Sequence, residues 1–436
     1  MTSRPIDAEP TGSMPERADV PGLVDHLFRR QAGRLVATLV RSLGPHHFAL
    51  AEEAVQDALV QALRRWPFHG VPDDPAAWLY QVARRRALDQ LRRAGTARDK
   101  APVVRELSTA QAEPPEARLG RELGDDRLRL IFLCCHPALG REARLALTLK
   151  SVAGFGVDEI ARALLAKPTT VAQRLVRARR RIRDLALPFE VPEPDALPER
   201  IDSVCEVLYL LFNEGYSAHD GDRLIRDDLC AEALRLVVAL SREPKISASA
   251  AATTVDALAA LLHFQASRAP ARVDAEGRLV LLDEQDRELW DRRALARAYR
   301  HLDRAARGDT FSSYHAQAAI AAEHASSDGP DWRRILEHYD QLMEWAPSPI
   351  VALNRVVALA EVRGPEDALV SLERLADDPR VERYHLVHAT RAELLRRSGD
   401  EAGAAVAYRR ALECPASAPE RRFLASRLAA LESVVS

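Results

Sequence analysis

Between Val157 and Ile182 two amphipathic helices are compressed around one proline, and this stretch constrains the chain more than any other. The first helix, starting at Val157, is short, and Pro168 blocks its continuation, because proline lacks an amide proton and clashes with the preceding turn. Thr169 is predicted as the N-cap of the second helix. On that helix Val171, Leu175, Ala178 and Ile182 recur on one face, while Thr170, Gln173, Arg174, Arg177, Arg180 and Arg181 fall largely on the other. This is the layout of a helix-turn-helix, whose second helix enters the major groove of DNA. Residues near its N-terminus reach base edges, and the later arginines hold phosphates. The competing reading is a basic surface helix with no nucleic-acid role; turn, cap and face together favour DNA.

Charge distribution supports a polyanionic partner. The chain of 436 residues has a formal net charge of −2. That near-neutral sum conceals two basic islands: residues 76–100 hold seven basic and two acidic side chains, and residues 173–184 hold six and one. Together they carry +10, so the remainder carries −12. Two such islands in an acidic chain point to two contacts with a polyanion. Arginine by itself is weak support, since only 4 of the 62 basic residues are lysine, a usage that a GC-rich genome also produces. Ala, Leu and Arg dominate and Gly is sparse, which predicts an all-α chain.

The first island, Ala76 to Arg93, reads as a helix on which Trp78 and Tyr80 lie beside an arginine cluster, with Trp66 and Phe68 just upstream. Aromatic rings stack on unpaired bases while arginines hold the backbone; a core helix with a solvated basic face accounts for the same composition equally well. Upstream, Leu23, Leu27, Leu35, Leu39 and Leu43 recur at helical spacing until Gly44-Pro45 breaks it. A second helix, Ala51–Trp66, ends in a Pro67–Pro75 loop. Residues 1–20 are expected to be disordered, residues 95–123 to be a linker, and the prolines between 187 and 198 to mark a further boundary.

Beyond 199 helices dominate again, apart from Arg272–Asp283, read as a small hairpin or an extended loop. Pro347 and Pro415 follow similar segments 68 residues apart, twice the 34-residue tetratricopeptide period. Such repeats stack into a small solenoid. The five cysteines form no CxxC pair, and Cys134-Cys135-His136 reads as buried small side chains rather than a metal site. No membrane span, cofactor or catalytic site is expected. A rival enzymatic reading rests on Glu214, His219, Asp220 and Asp222, with His263 as a further candidate; a polar inter-helix loop explains the acidic cluster better.

These segments resemble a known family. Ala51–Trp66 followed by Pro75–Arg93 resembles sigma domain 2, and residues 125–184 resemble sigma domain 4. Housekeeping domains 1.1 and 3 have no counterpart, which is the mark of the extracytoplasmic-function (ECF) class. Phe132–Leu139, Leu208–Ser217, Arg272–Asp286 and Ala346–Arg355 look like the subgroup with a C-terminal tetratricopeptide-like extension. The resemblance implies domain 2 over 21–94, domain 4 over 124–186, a helical extension over 199–310 and repeats over 311–436. It implies that Glu53, Gln56 and Asp57 face the coiled-coil clamp of the polymerase β′ subunit, and that core RNA polymerase, including its β subunit, and promoter DNA are the partners. Phe68 and His69, in the loop that receives a flipped base, would serve the −10 element together with Trp78, Arg84, Arg85, Asp89 and Arg92. Arg85 stands where many relatives carry Asn. The 169–181 helix would read the −35 element. The extension would regulate the sigma core through a bound protein or ligand, and the protein would be cytoplasmic. The alternative is a one-component helix-turn-helix regulator with a tetratricopeptide-like protein-binding domain.

Overall fold

The computed structural model describes residues 20–94, 123–164, 166–216, 227–274, 278–376, 378, 381–382 and 384–435. The predicted N-terminal disorder before residue 20, the linker over 95–122, and His219, Asp220 and Asp222 lie outside them. Among the described residues the chain is helical, and its one β-type pairing is the bridge between Val273 and Leu279. That bridge lies in the stretch read as a small hairpin or an extended loop, with Asp274 N–H donating to Arg278 O at 3.0 Å and Val280 N–H to Arg272 O at 2.9 Å.

The first three helices are α1 (Val20–Leu43), α2 (Phe48–His69) and α3 (Pro75–Ala94). Gly44, at φ +85°, breaks the chain between α1 and α2 as the Gly-Pro pair predicts. Helix α2 runs past Trp66 and takes Pro67, Phe68 and His69 into its last turn, so these residues are helical rather than part of the expected loop. The helix ends instead at Gly70, whose N–H still donates to Trp66 O at 3.0 Å and whose φ of +79° turns the chain out of the helix. Asp74 then opens α3 by accepting Ala77 N–H at 2.9 Å, with Pro75 in the first helical position.

A second group comprises α4 (Leu123–Cys134), α5 (Arg141–Ser151), α6 (Val157–Ala163) and α7 (Pro168–Asp184). Thr169 does not cap α7. The cap position is Lys167, and Pro168 occupies N1, where a proline's missing N–H costs nothing and its φ is already helical. Burial on α7 falls on Val171, Leu175, Ala178 and Ile182, the face read from the periodicity.

The extension begins with α8 (Pro198–Tyr216), α9 (Asp227–Arg242), the one-turn α10 (Pro244–Ser247) and α11 (Ala252–Ser267). It continues with α12 (Arg292–Ala305), α13 (Ser313–Ala325), α14 (Trp332–Trp345), α15 (Pro349–Arg363), α16 (Pro365–Ala376), α17 (His385–Arg397), α18 (Glu401–Glu413) and α19 (Ala418–Val435). From α13 onward each helix packs on the one before and the one after. Burial there is divided among small local clusters, such as Leu353, Val356 and Leu372 or Ala404, Tyr408 and Leu424.

One large core, by contrast, runs without interruption from Ala32 in α1 through α4–α7 to Leu262 in α11. The proline-rich stretch after α7 belongs to it, with Leu187, Val191 and Leu197 all buried. Cys134, Cys135, Cys205 and Cys230 are buried in the same core. Burial pushes the Cys135 thiol up to about 11, in keeping with a packing role.

Arg127 lies at the centre of this core, with its side chain wholly inaccessible. It pairs with Glu232 of α9 at 2.5 Å and donates from Nη2 to Val152 O at 3.1 Å. Burial brings the guanidinium down to about 10. Burial alone would raise the Glu232 carboxyl, but Arg127 and Arg235 more than offset this and hold it below the ordinary range. Arg200 of α8 donates to Phe132 O, and Arg141 and Arg144 of α5 bond Glu206 and Ser203 of α8.

Three outcomes follow from this packing. Glu232→Gln leaves Arg127 without its counter-charge and is expected to cost about 3–5 kcal/mol in urea unfolding, whereas Arg127→Met combined with Glu232→Leu recovers most of the loss. Because the folded carboxyl is depressed, its contribution is fully present above the unfolded value of about 4.3 and is lost as pH falls through the folded value. The gap between the parent chain and Glu232→Gln therefore narrows on acidification. A chain ending after Pro198 uncovers the core surface covered by Ile201, Val204 and Leu208, and is expected to aggregate or melt well below the full chain in scanning calorimetry.

Candidate nucleic-acid and polymerase interface

Helix α7 is positioned from both ends. Gly156 N–H donates to the Glu159 carboxylate at 2.7 Å and starts α6; Ala166 N–H then returns to Ala161 O at 2.8 Å, and Lys167 O accepts from Thr170 and Val171 as α7 begins. With its apolar stripe buried, α7 turns Thr169, Gln173, Val176, Arg177 and Arg180 outward. Thr170 is half-buried at the margin. The basic side chains predicted to act together are divided by the structure. Arg174 pairs with Glu142 of α5, and Arg181 Nε reaches Ala138 O at 3.3 Å. Arg180 is exposed and paired at 3.3 Å with Asp184. Arg177 is exposed, its guanidinium 3.5 Å from Gln173 Oε1. Arg179, which the periodicity did not single out, turns inward and donates from Nε to Glu52 at 2.6 Å.

On α2 and α3 the arrangement is again part outward, part structural. Glu53 and Gln56 are exposed on α2; Asp57 beside them is half-buried and paired with Arg86 of α3 at 3.1 Å. Phe68 is 83% exposed, and His69 beside it is exposed too. Trp66 is buried, and Trp78 packs on it edge to face with ring centres 5.5 Å apart, so Trp78 is half-buried rather than free. Arg85, Asp89 and Arg92 share the exposed face of α3, with Asp89 and Arg92 3.6 Å apart. Arg84 is turned into the core margin, and its buried Nη2 has no hydrogen-bond partner among the described residues.

Sequence reasoning missed Glu52, Gly33 and Arg127. Glu52 is buried on α2 and accepts from Ser151 Oγ of α5 and Arg179 Nε of α7, both at 2.6 Å. Gly33 of α1 lies so close to Val152 that an added Cβ would fall inside the contact distance of its carbonyl oxygen and 3.0 Å from its carbonyl carbon. Arg41 of α1 adds a pair with Asp126 of α4 at 3.4 Å. A glycine within an otherwise apolar-periodic helix was the available sign of such a close approach. Of the rival enzymatic residues, Glu214 is half-buried on α8 and His263 is buried in α11 against His301, where burial brings it down to about 4; His219, Asp220 and Asp222 lie outside the described residues. Among the described residues no group of acidic, His or Cys side chains has metal-binding geometry, and no helix is long and apolar enough to cross a membrane.

Comparison with known proteins identifies three matching segments. Residues 27–96 match Sigma-70 region 2, and residues 129–182 match Sigma-70, region 4. Residues 200–306 match DUF6596, a family of unknown function. The chain is 40% identical over 388 residues to the uncharacterized protein R00370 of Rhizobium meliloti (strain 1021), covering 87% of this chain and 89% of that protein. It is 28% identical over 166 residues to a probable ECF RNA polymerase sigma factor, SigI, of Mycobacterium tuberculosis, covering 37% of this chain and 54% of SigI. It is also 28% identical over 181 residues to the ECF RNA polymerase sigma factor SigE of Mycolicibacterium smegmatis, covering 40% of this chain and 68% of SigE. No solved structure matches. With regions 2 and 4 in order and a DUF6596 segment packed behind them, the chain belongs to the sigma-70 family as an ECF sigma factor with a C-terminal extension.

Proposed function

We propose that this protein binds core RNA polymerase in the cytoplasm, directs it to a defined set of promoters and supports melting of the start site. The observation that carries this reading is the outward face of α7, where Thr169, Gln173 and Arg177 stand exposed over a buried apolar stripe. Thr169, Thr170 and Gln173, near the helix N-terminus, reach base edges of the −35 element, and Arg177, Arg180 and Arg181 hold phosphates. Arg174 and Arg181 exchange their present partners for DNA on binding. Glu53, Gln56 and Asp57 meet the β′ clamp coiled coil, while region 4 meets the β subunit. Phe68, His69 and Trp78 receive the unstacked −10 strand, with Arg84, Arg85, Asp89 and Arg92 holding its backbone; aromatic rings suit unpaired bases of any sequence. Residues 21–94 and 124–186 are the two promoter-reading units, with 95–123 linking them. Residues 199–310 and the tetratricopeptide-like stack of 311–436 regulate them through a bound protein or ligand; burial in small sequential clusters is what a stacked-repeat unit has.

Run-off transcription with purified core polymerase and a promoter library tests this reading. Defined start sites are expected only when the protein is present. Gln173→Ala is expected to lower the yield about 5- to 100-fold and to relax base preference in the −35 element. Arg177→Ala is expected to weaken promoter binding across sequences and lessen its salt dependence by about one counterion. Absence of both start sites and core binding in the full chain overturns the proposal.

A further inference from the structure

We infer that α12 of the extension is a third nucleic-acid contact, a row of unpaired arginines that lies along the phosphates of duplex DNA outside the −35 and −10 elements. The inference rests on the promoter reading proposed above for which DNA is bound. Residues 292–307 hold six basic side chains and one acidic, a third basic island in the chain. Helix α12 buries Ala294, Ala298, His301 and Ala305, and Ala298 packs with Ala260, Leu261 and Phe264 of α11. On the outer side Arg292, Arg293, Arg297 and Arg300 are exposed, and none of their guanidinium groups has a hydrogen-bond or ion-pair partner among the described residues. The acids nearest in sequence are already engaged. Asp291 caps α12 by accepting the N–H groups of Arg293 and Ala294, and Asp303 pairs with Arg307.

Arginine abundance does not account for the row. Exposed arginines elsewhere in the extension have carboxylates beside them: Arg334 has Glu323, Arg396 has Glu393 and Arg410 has Glu413. On α12 itself Arg304 is paired with Asp256 of α11 at 2.8 Å. The row also works against its own helix. Arg293 and Arg297 are like charges at i,i+4, Arg297 and Arg300 at i,i+3, and Arg292 and Arg293 stand in the first turn, at the positive end of the helix dipole. Packing on α11 has to hold such a helix in place, and an anion laid along the row relieves the repulsion.

Spacing and surroundings favour the backbone of a duplex. From Arg293 to Arg300 the helix rises about 10.5 Å, three times the ~3.4 Å axial spacing of phosphates along one strand. Ala296, exposed beside the row, is small and leaves the approach open. A membrane-surface helix needs a free apolar face, whereas that of α12 is already buried on α11. Single strands are held by aromatic rings in series, and α12 offers Tyr299, whose ring packs edge to face on Phe264 at 5.0 Å. Cations with neither feature suit contacts that position a duplex and read no sequence. Helix α11, which carries the row, lies in the core shared with α4–α7, so the row is fixed relative to α7.

The test variant is Arg293→Gln with Arg297→Gln and Arg300→Gln in the full chain. All three sites are exposed, and the melting temperature is expected to stay in place. The first readout is binding of the free chain to a random-sequence duplex at low salt. Losing three phosphate contacts is expected to lower the slope of log affinity against log salt by about 2.7, so the parent's advantage shrinks about 40-fold between about 50 and 200 mM salt. Lysine at the same three positions is expected to retain most of the binding, because a phosphate also accepts a point charge. The second readout is a hydroxyl-radical footprint of a promoter with core polymerase. A stretch of backbone outside both elements is expected to be protected with the parent and cleaved with the Gln variant, while protection of the elements persists. No duplex binding by the free parent, or a slope and footprint unchanged by the variant, overturns the inference. It is also overturned if the Gln variant keeps duplex binding but loses core polymerase or phosphatidylserine vesicles, or if single-stranded RNA competes for the row more strongly than duplex does. Duplex binding that the Gln variant loses, with no start sites from any chain, supports the α12 contact and overturns the promoter reading instead.

Discussion

The buried Arg127 guanidinium is the constraint around which the rest of the molecule is arranged. A cation with no access to water carries a desolvation cost of several kcal/mol and persists only with an anion and oriented acceptors around it. Here the anion is Glu232 of the extension, and the acceptor is the Val152 carbonyl in the turn between α5 and α6. Neither partner belongs to the helix that carries Arg127. The pair therefore ties region 4 to the extension as firmly as a hydrophobic seam, and with stricter geometry. Gly33 presses α1 onto the same turn, so all three parts of the chain converge within a few residues of Val152.

This convergence changes what the extension is. In the segment matched by DUF6596, α8 and α9 complete the core of region 4, with Ile201, Val204, Leu208 and Leu236 in the same cluster as Leu130, Leu133 and Leu147. The stacked helices beyond α13 bury their side chains locally and leave the core to the first part of the extension. The distal stack is joined to the sigma regions through packed helices.

Helix α7 divides its arginines between two tasks. Arg174, Arg179 and Arg181 reach Glu142, Glu52 and Ala138, while Arg177 and Arg180 face water with Thr169 and Gln173. Guanidinium suits both, since its planar fork satisfies a buried carboxylate as readily as a phosphate. Some of the arginines thus hold α7 in place, and the others face solvent.

Much of this was legible in the sequence. The helices, the Gly44 break and the buried stripe of α7 all follow from periods and turn residues that act within a few positions. The local misreadings have local causes too: Pro168 takes N1 rather than ending the preceding helix, and Pro67 is tolerated in the last turn of α2. The inward turn of Arg84 and Arg179 and the burial of Glu52 were not legible. Amphipathic periodicity is a property of neighbours, so the sequence alone determined the helices, their apolar faces and the order of the two sigma regions. Which of 62 basic and 64 acidic side chains meet in the interior depends on how distant helices cross, and only the tertiary structure decided that Arg127 would find Glu232 and Arg179 would find Glu52.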